Sequence, residues 1–391
     1  MKRLSLITEL FTESVIREMT RLNDSVGGFN LSQGFPDFEC PEAIKEAACE
    51  AIRLNFNQYP VTFGEPELRE AISNKALSYN NIKSNPESDI TVTCGATEAM
   101  IASMKAIINP GDEVIIFEPF YENYGADVIL AGAIPRYIPL IAPQWDFDSD
   151  LLKRTFNQHT KAIIINTPNN PTGKVFSISE LNEIAALCVK WDVIAVTDEI
   201  YEHILYDEAR HISIASLPGM EDRTITINSI SKTYSVTGWR IGWAISSPDI
   251  SARIRKIHDF LTVGAPTPFQ HAAVKALNFE HGYYEALKKR YSGLRSILFD
   301  TLSKYGFKPF LPGGAYYIIA DYTELSKLIT SADDYGFAVG LLNKTGVATV
   351  PGSSFYSSGV RTNLVRFAFC KKNETLESVS SAFSEKLFHK K

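Results

Sequence analysis

Several large protein classes are argued against by what this sequence lacks. Its 391 residues hold only five cysteines (Cys40, Cys49, Cys94, Cys188 and Cys370), odd in number, scattered and never in a C-x-x-C pair. That argues against a disulfide scaffold and a zinc ribbon. The seven histidines are dispersed without metal-ligand spacing, and no metal is expected. Positive charge is not in surplus: 39 Lys and Arg against 45 Asp and Glu leave −6. A general nucleic-acid or anionic-membrane binder usually needs the opposite balance, so neither partner is expected. A small anionic ligand stays open, because a few local cations can hold it. No run approaches the roughly 18 apolar residues that cross a bilayer. The amino end follows Lys2 and Arg3 with Glu9, Glu13 and Glu18 rather than a signal-peptide core. The expectation is a soluble, cytoplasmic protein. Also missing are G-x-x-x-x-G-K-[ST], G-x-G-x-x-G, H-E-x-x-H and G-x-S-x-G, and any internal period.

What is present is ample material for a folded core, with 45% hydrophobic and 21% charged residues. Between about residues 90 and 245, apolar β-rich runs recur: Ile90–Thr93, Glu113–Phe117, Ala162–Asn166, Val193–Thr197, Thr224–Asn228 and Ile241–Ser246. Helical segments such as Glu98–Ile108 and Ser179–Trp191 alternate with them. Near-continuous Ile/Val runs belong to strands buried on both faces, which predicts a doubly wound α/β unit with a largely parallel sheet. After about residue 280 the pattern changes to a long amphipathic helix, Tyr283–Tyr305, a Pro312-Gly313-Gly314 turn and a strand, Ala315–Ala320. A helix (Tyr335–Lys344), a strand (Leu364–Phe369) and a closing helix (Leu376–Phe388) follow, which predicts a smaller α+β domain. The first forty residues show no sheet pattern and are expected to pack on it.

Four polar clusters sit at predicted strand ends, where open α/β sheets bind ligands. Thr93-Cys94-Gly95-Ala96-Thr97-Glu98 runs from a strand through a glycine turn into a helix. Its N–H groups suit an anion, although an ordinary capped helix reads the same way. Asn166-Thr167-Pro168-Asn169-Asn170-Pro171-Thr172-Gly173 is a sharply turned loop, functional or merely structural. In Val196-Thr197-Asp198-Glu199-Ile200-Tyr201 a strand-end Asp needs a cationic or N–H partner, which a helix cap or salt bridge would also supply. Finally, Ser229-Ile230-Ser231-Lys232-Thr233-Tyr234 runs on to Gly238-Trp239-Arg240-Ile241-Gly242. A partly desolvated lysine is a Schiff-base nucleophile, and hydroxyls with an Arg suit a phosphate dianion. A lone solvated lysine is the alternative.

Together these clusters resemble the pyridoxal-phosphate-dependent aminotransferases of class I/II, the aspartate aminotransferase superfamily of fold type I. The motif order matches from Asn30-Leu31-Ser32-Gln33-Gly34-Phe35-Pro36 to Arg366, and S-x-S-K-x-[YF]-x-x-x-G-W-R-x-G with N-x-P-x-N-P-T-G is highly specific. The resemblance implies a mostly parallel seven-stranded sheet between helices in a large domain, residues 40–282. Residues 1–39 and 283–391 would form a discontinuous small domain. It implies that Lys232 forms the Schiff base with pyridoxal 5′-phosphate and then shuttles the substrate proton. Asp198 would pair with the pyridine nitrogen, keeping the ring an electron sink. Tyr201 and Asn170 would hydrogen-bond the ring's phenolic oxygen, and Tyr121 would stack on the ring. The Gly95, Ala96 and Thr97 turn, Ser229 and Arg240 would hold the phosphate. Arg366 would clamp the substrate α-carboxylate, with Gly34 and Asn170 beside it. Tyr59, in Asn57-Gln58-Tyr59-Pro60, resembles the tyrosine that reaches the neighbouring subunit's phosphate, which implies a homodimer with shared active sites.

For the substrate, the stretch Phe260–Pro268 resembles the loop that carries a second arginine in aspartate enzymes, but it holds no Arg or Lys. A buried side-chain carboxylate without a cation is costly. Trp-Arg-Ile-Gly, Asn-Gln-Tyr-Pro and Gly-Gly-Ala-Tyr look most like the aromatic, methionine, glutamine and kynurenine aminotransferases. The expected activity is ping-pong transfer of an amino group from a neutral, aromatic or methionine-like L-amino acid to a 2-oxo acid. Aspartate transamination and a PLP-dependent lyase, such as a cysteine-S-conjugate β-lyase, are the alternatives. A PLP-binding regulator would carry an extra DNA-binding domain, and few residues precede Asn30.

Overall fold

The computed structural model describes residues 4–387. Phe388, expected to end the closing helix, lies outside the described residues, as do residues 1–3 and 389–391. The central sheet is built from β1 (Ile90–Thr93), β2 (Glu113–Glu118), β3 (Ile134–Ile141), β4 (Asp146–Phe147), β5 (Thr160–Asn166), β6 (Ile194–Asp198), β7 (Thr224–Ser229) and β8 (Gly242–Ile245). Their order across the sheet is β1-β8-β7-β6-β5-β2-β3-β4. Pairing is parallel from β7 through β3, whereas β8 runs antiparallel to both β1 and β7. Seven substantial strands match the expected count, and β4 adds a two-residue antiparallel edge.

Alternating side chains of the same strands feed two separate cores. Ile115, Ile163 and Ile165 pack with Leu181, Ile184 and Cys188 of helix Ile178–Trp191. Val114, Ile116 and Ile164 pack on the other face with Met100 and Met104 of helix Ala96–Ile107 and Ile254 of helix Pro248–Thr262. That two-sided burial is why the strands read as continuous apolar runs. The sheet is thus the middle layer of an α/β unit with helices on both faces, as expected. β3 escaped the sequence reading because Ile134-Pro135-Arg136-Tyr137-Ile138-Pro139 carries two prolines and alternates in exposure. It lies near the sheet edge, where a missing N–H is tolerated.

A second, four-stranded antiparallel sheet is ordered Lys308–Pro309, Tyr317–Asp321, Leu364–Ala368, Val350–Pro351. Helices His281–Lys304 and Asn373–Leu387 share a core with it through Leu294, Leu298, Phe367 and Phe383. The first forty residues do contain a sheet element, against expectation: Phe29–Asn30 pairs in parallel with Val347–Ala348. Two residues are too few to show a pattern. Just before it, Met19 of helix Val15–Val26 packs on Ala338 and Leu342. Among the described residues no helix is long and apolar enough to cross a membrane.

Candidate active site

Strand ends bring the site together. β5 ends at Asn166, β6 at Asp198 and β7 at Ser229, side by side in the sheet. Because β8 inserts antiparallel between β1 and β7, Gly242 is the register partner of both Thr93 and Ser229. The turn after β1, the end of β7 and Arg240 just before β8 therefore meet at one point. Arg240 adopts a left-handed backbone, φ 56°, and its guanidinium lies against Gly95. A Cβ on Gly95, itself at φ 82°, would stand 2.4 Å from Arg240 Nη2, so glycine is required there.

These ends open on a cavity of about 480 Å³ lined by Gly34, Ala96, Thr97, Tyr121, Asn170, Asp198, Tyr201, Ser229, Lys232, Arg240 and Arg366. Gly95 joins them through its contact with Arg240. Tyr59 does not: it stands 84% exposed outside the cavity of its own chain.

Lys232 Nζ reaches the Gly34 carbonyl at 3.3 Å, which also accepts from Tyr316 Oη at 2.9 Å. Burial, with Arg240 and Arg366 nearby, pulls the Lys232 amine down to about 8, against the opposing influence of Cys370 and Asp198. Asp198 is buried, which pushes its carboxyl up to about 6, although Tyr124 Oη and the Ile200 N–H donate to it and Lys232 favours its charge. Arg366 is 1% exposed. Its Nη1 donates to Asn170 Oδ1 at 2.8 Å and its Nη2 to the Ser32 carbonyl, while Nε has no partner. The guanidinium stacks on Tyr317 at 4.2 Å and Phe355 at 4.8 Å. No carboxylate pairs with Arg366 or Arg240 among the described residues, so a buried and a half-buried cation face one cavity without an ion-pair partner.

Three functional neighbours were missed from sequence. Tyr124 lies one helical turn beyond Tyr121 and holds Asp198. Tyr317 Oη meets Tyr201 Oη at 3.0 Å, and Tyr316 holds Gly34. Their signal was the Tyr pair after Gly313-Gly314-Ala315. Away from the cavity, Glu199, Glu202 and His211 bring ligand-type atoms within 4.8 Å of one another, and Lys75 forms an ion pair with Glu202 there.

The sequence profile described as "Aminotransferase class I and II" matches residues 26–383. The chain is 38% identical to a probable N-succinyldiaminopimelate aminotransferase of Mycobacterium tuberculosis, over 94% of each protein. It is 36% identical to kynurenine–oxoglutarate transaminase 3 of Rattus norvegicus, over 95% of this chain and 87% of that protein. The solved structure of YbdL from Escherichia coli, described as having a methionine aminotransferase function, superposes with a TM-score of 0.92 at 32% identity. That superposition covers 98% of this chain and 100% of the other. A lysine, an aspartate and two unpaired arginines around one sheet-edge cavity thus stand on a scaffold shared nearly end to end with transaminases, and the chain belongs to the pyridoxal-phosphate-dependent class I and II aminotransferases.

Proposed function

We propose that this aminotransferase takes its amino group from a neutral, aromatic or methionine-like L-amino acid and passes it to a 2-oxo acid. The observation that carries the reading is the surround of Arg366. Its buried guanidinium lies between the Tyr317 and Phe355 rings, and Ile16, Phe35 and Tyr121 line the same cavity. That offers an α-carboxylate one buried cation and gives a side chain apolar and aromatic contacts on part of the cavity wall. Among the relatives' names, kynurenine and methionine favour this reading, whereas N-succinyldiaminopimelate and aspartate favour a more acidic substrate.

The residues fit the cofactor. Arg240, the N–H groups of Ala96 and Thr97 after the Gly95 turn and Ser229 form a cradle for a phosphate, and Asp198 offers a carboxylate to a ring nitrogen. Bound there, pyridoxal phosphate supplies an electron sink for negative charge at the substrate α-carbon. The chain's own groups do the rest. Lys232 Nζ, lowered to about 8, is able to hold or release a proton near neutral pH. Tyr201, tied to Tyr317, and Asn170, tied to Arg366, are fixed in orientation before a ligand arrives. Arg366 orients the α-carboxylate and so places the α-hydrogen toward Lys232. The same reading takes residues 40–282 as the cofactor domain and 1–39 with 283–391 as the smaller one. It also makes the enzyme a homodimer with shared sites: exposed Tyr59 and the 92% exposed Phe260 would be covered by, and complete, the partner's site.

A second reading, a dicarboxylate donor such as aspartate, is favoured by a structural observation and by relatives named as aspartate aminotransferases. Arg17 lines the cavity and has no ion-pair partner among the described residues. The test is kcat/KM for phenylalanine and methionine against aspartate with one common 2-oxo acid. A large advantage for aspartate, abolished in Arg17→Met, would replace the neutral-substrate reading.

A further inference from the structure

Beneath the turn Cys94–Thr97 lies a buried acid–base pair that none of these roles uses. Glu98, in the first turn of helix Ala96–Ile107, and His258, 0% exposed in helix Pro248–Thr262, come from opposite ends of the large sheet's sequence. His258 Nδ1 stands 2.7 Å from Glu98 Oε1, and Nε2 stands 2.8 Å from the Thr62 carbonyl oxygen. Glu98 also accepts from Thr262 Oγ1 at 2.6 Å and from the Cys94 N–H at 2.5 Å. Burial opposes ionisation of Glu98, but the hydrogen bonds from His258, Thr262 and Cys94 outweigh it and hold the carboxyl below its ordinary range. A carbonyl oxygen and an ionised carboxylate can only accept. Each ring nitrogen of His258 thus faces an acceptor, the arrangement that an imidazolium satisfies.

The position of this charge matters. Glu98 sits in the first turn of the helix whose amino end faces the cavity, where Ala96 and Thr97 offer N–H groups. An uncompensated carboxylate there would use up the positive end of the helix and repel an incoming dianion. We propose that Glu98 and His258 are a charge-neutral positioning pair for phosphate recognition: Glu98 fixes the turn through the Cys94 N–H, and His258 cancels the charge that this anchor brings. The inference rests on the reading of the turn as the phosphate cradle.

The test titrates the full-length apoenzyme with pyridoxal phosphate, with pyridoxal and with inorganic phosphate, following the aldehydes by absorbance and phosphate by calorimetry. In His258→Gln, affinity for pyridoxal phosphate should fall about tenfold while pyridoxal changes by less than about twofold. Glu98→Gln alone should lose less than His258→Gln, since it weakens the anchor on the Cys94 N–H but also removes the anion. Glu98→Gln/His258→Gln should regain most of what His258→Gln loses. Parallel losses for both aldehydes, a double variant no better than His258→Gln, or a Glu98→Gln that loses as much as His258→Gln would each overturn the pair's role. If His258→Gln does not fold, the double variant decides, because with both charges removed most of the parent preference for the phosphorylated aldehyde must remain. A parent enzyme with no such preference and no phosphate binding would instead overturn the cradle itself.

Discussion

Tyr124 Oη donates a 2.7 Å hydrogen bond to Asp198 Oδ2, from a helix turn to a strand end 74 residues away. Burial pushes the Asp198 carboxyl up to about 6, and this hydrogen bond opposes it. Tyr124→Phe leaves the ring and removes the donor. The acid limb of the kcat/KM profile should then move upward by about one pH unit, with the alkaline side unchanged. An unmoved acid limb would show that Asp198 is held by other contacts.

Asp127 also lines the cavity, but its Oδ2 has no partner and burial pushes its carboxyl up to about 8. The unfolded chain releases this proton near pH 4, whereas the folded one keeps it to about pH 8. The folded state thus binds more protons across that window, and stability falls as pH rises through it. Asp127→Asn should be more stable than the parent at pH 8, on the order of a few kcal/mol, and equal to it near pH 4. Denaturant unfolding at both pH values measures this.

Arg366 is a buried cation without a carboxylate partner among the described residues. Arg366→Met should keep or raise the melting temperature of the unliganded protein, because an uncompensated charge is removed. It should lower kcat/KM for every amino donor by about two orders of magnitude or more. Thermal scans beside steady-state kinetics separate the two effects.

Gly34 has no room for a side chain: an added Cβ would stand 1.9 Å from Tyr317 Oη. Gly34→Ala should displace Tyr317 from Tyr201, costing about 1–3 kcal/mol of stability and weakening substrate binding. An unchanged KM would mean that Tyr317 swings away without consequence.

The site was legible because its chemistry is local. Lys232 and Arg240 share one stretch, Asp198 closes a β-strand run visible as apolar sequence, and Asn170 stands in the loop just after another. What stayed hidden depends on pairing across the fold. Nothing near Glu98 announces His258, since the two meet only when helix Pro248–Thr262 packs on helix Ala96–Ile107. Tyr317 reaches Tyr201 only because Gly313 and Gly314 bring the second sheet against the loop at Gly173. β3 was hidden for the opposite reason, because its prolines contradict a strand that an edge position permits.

Strand β1 has β8 as its sole neighbour in the sheet. The turn that follows β1 is therefore an orphan during synthesis, carrying its N–H groups but not the guanidinium and strand that shape them. On the proposed reading of that turn as the phosphate cradle, a nascent chain gains this grip only once residues 240–245 have left the ribosome and inserted beside it. Retention of cofactor then reports closure of this long-range pairing, and free pyridoxal phosphate acts on the folding equilibrium as a ligand of the finished sheet alone.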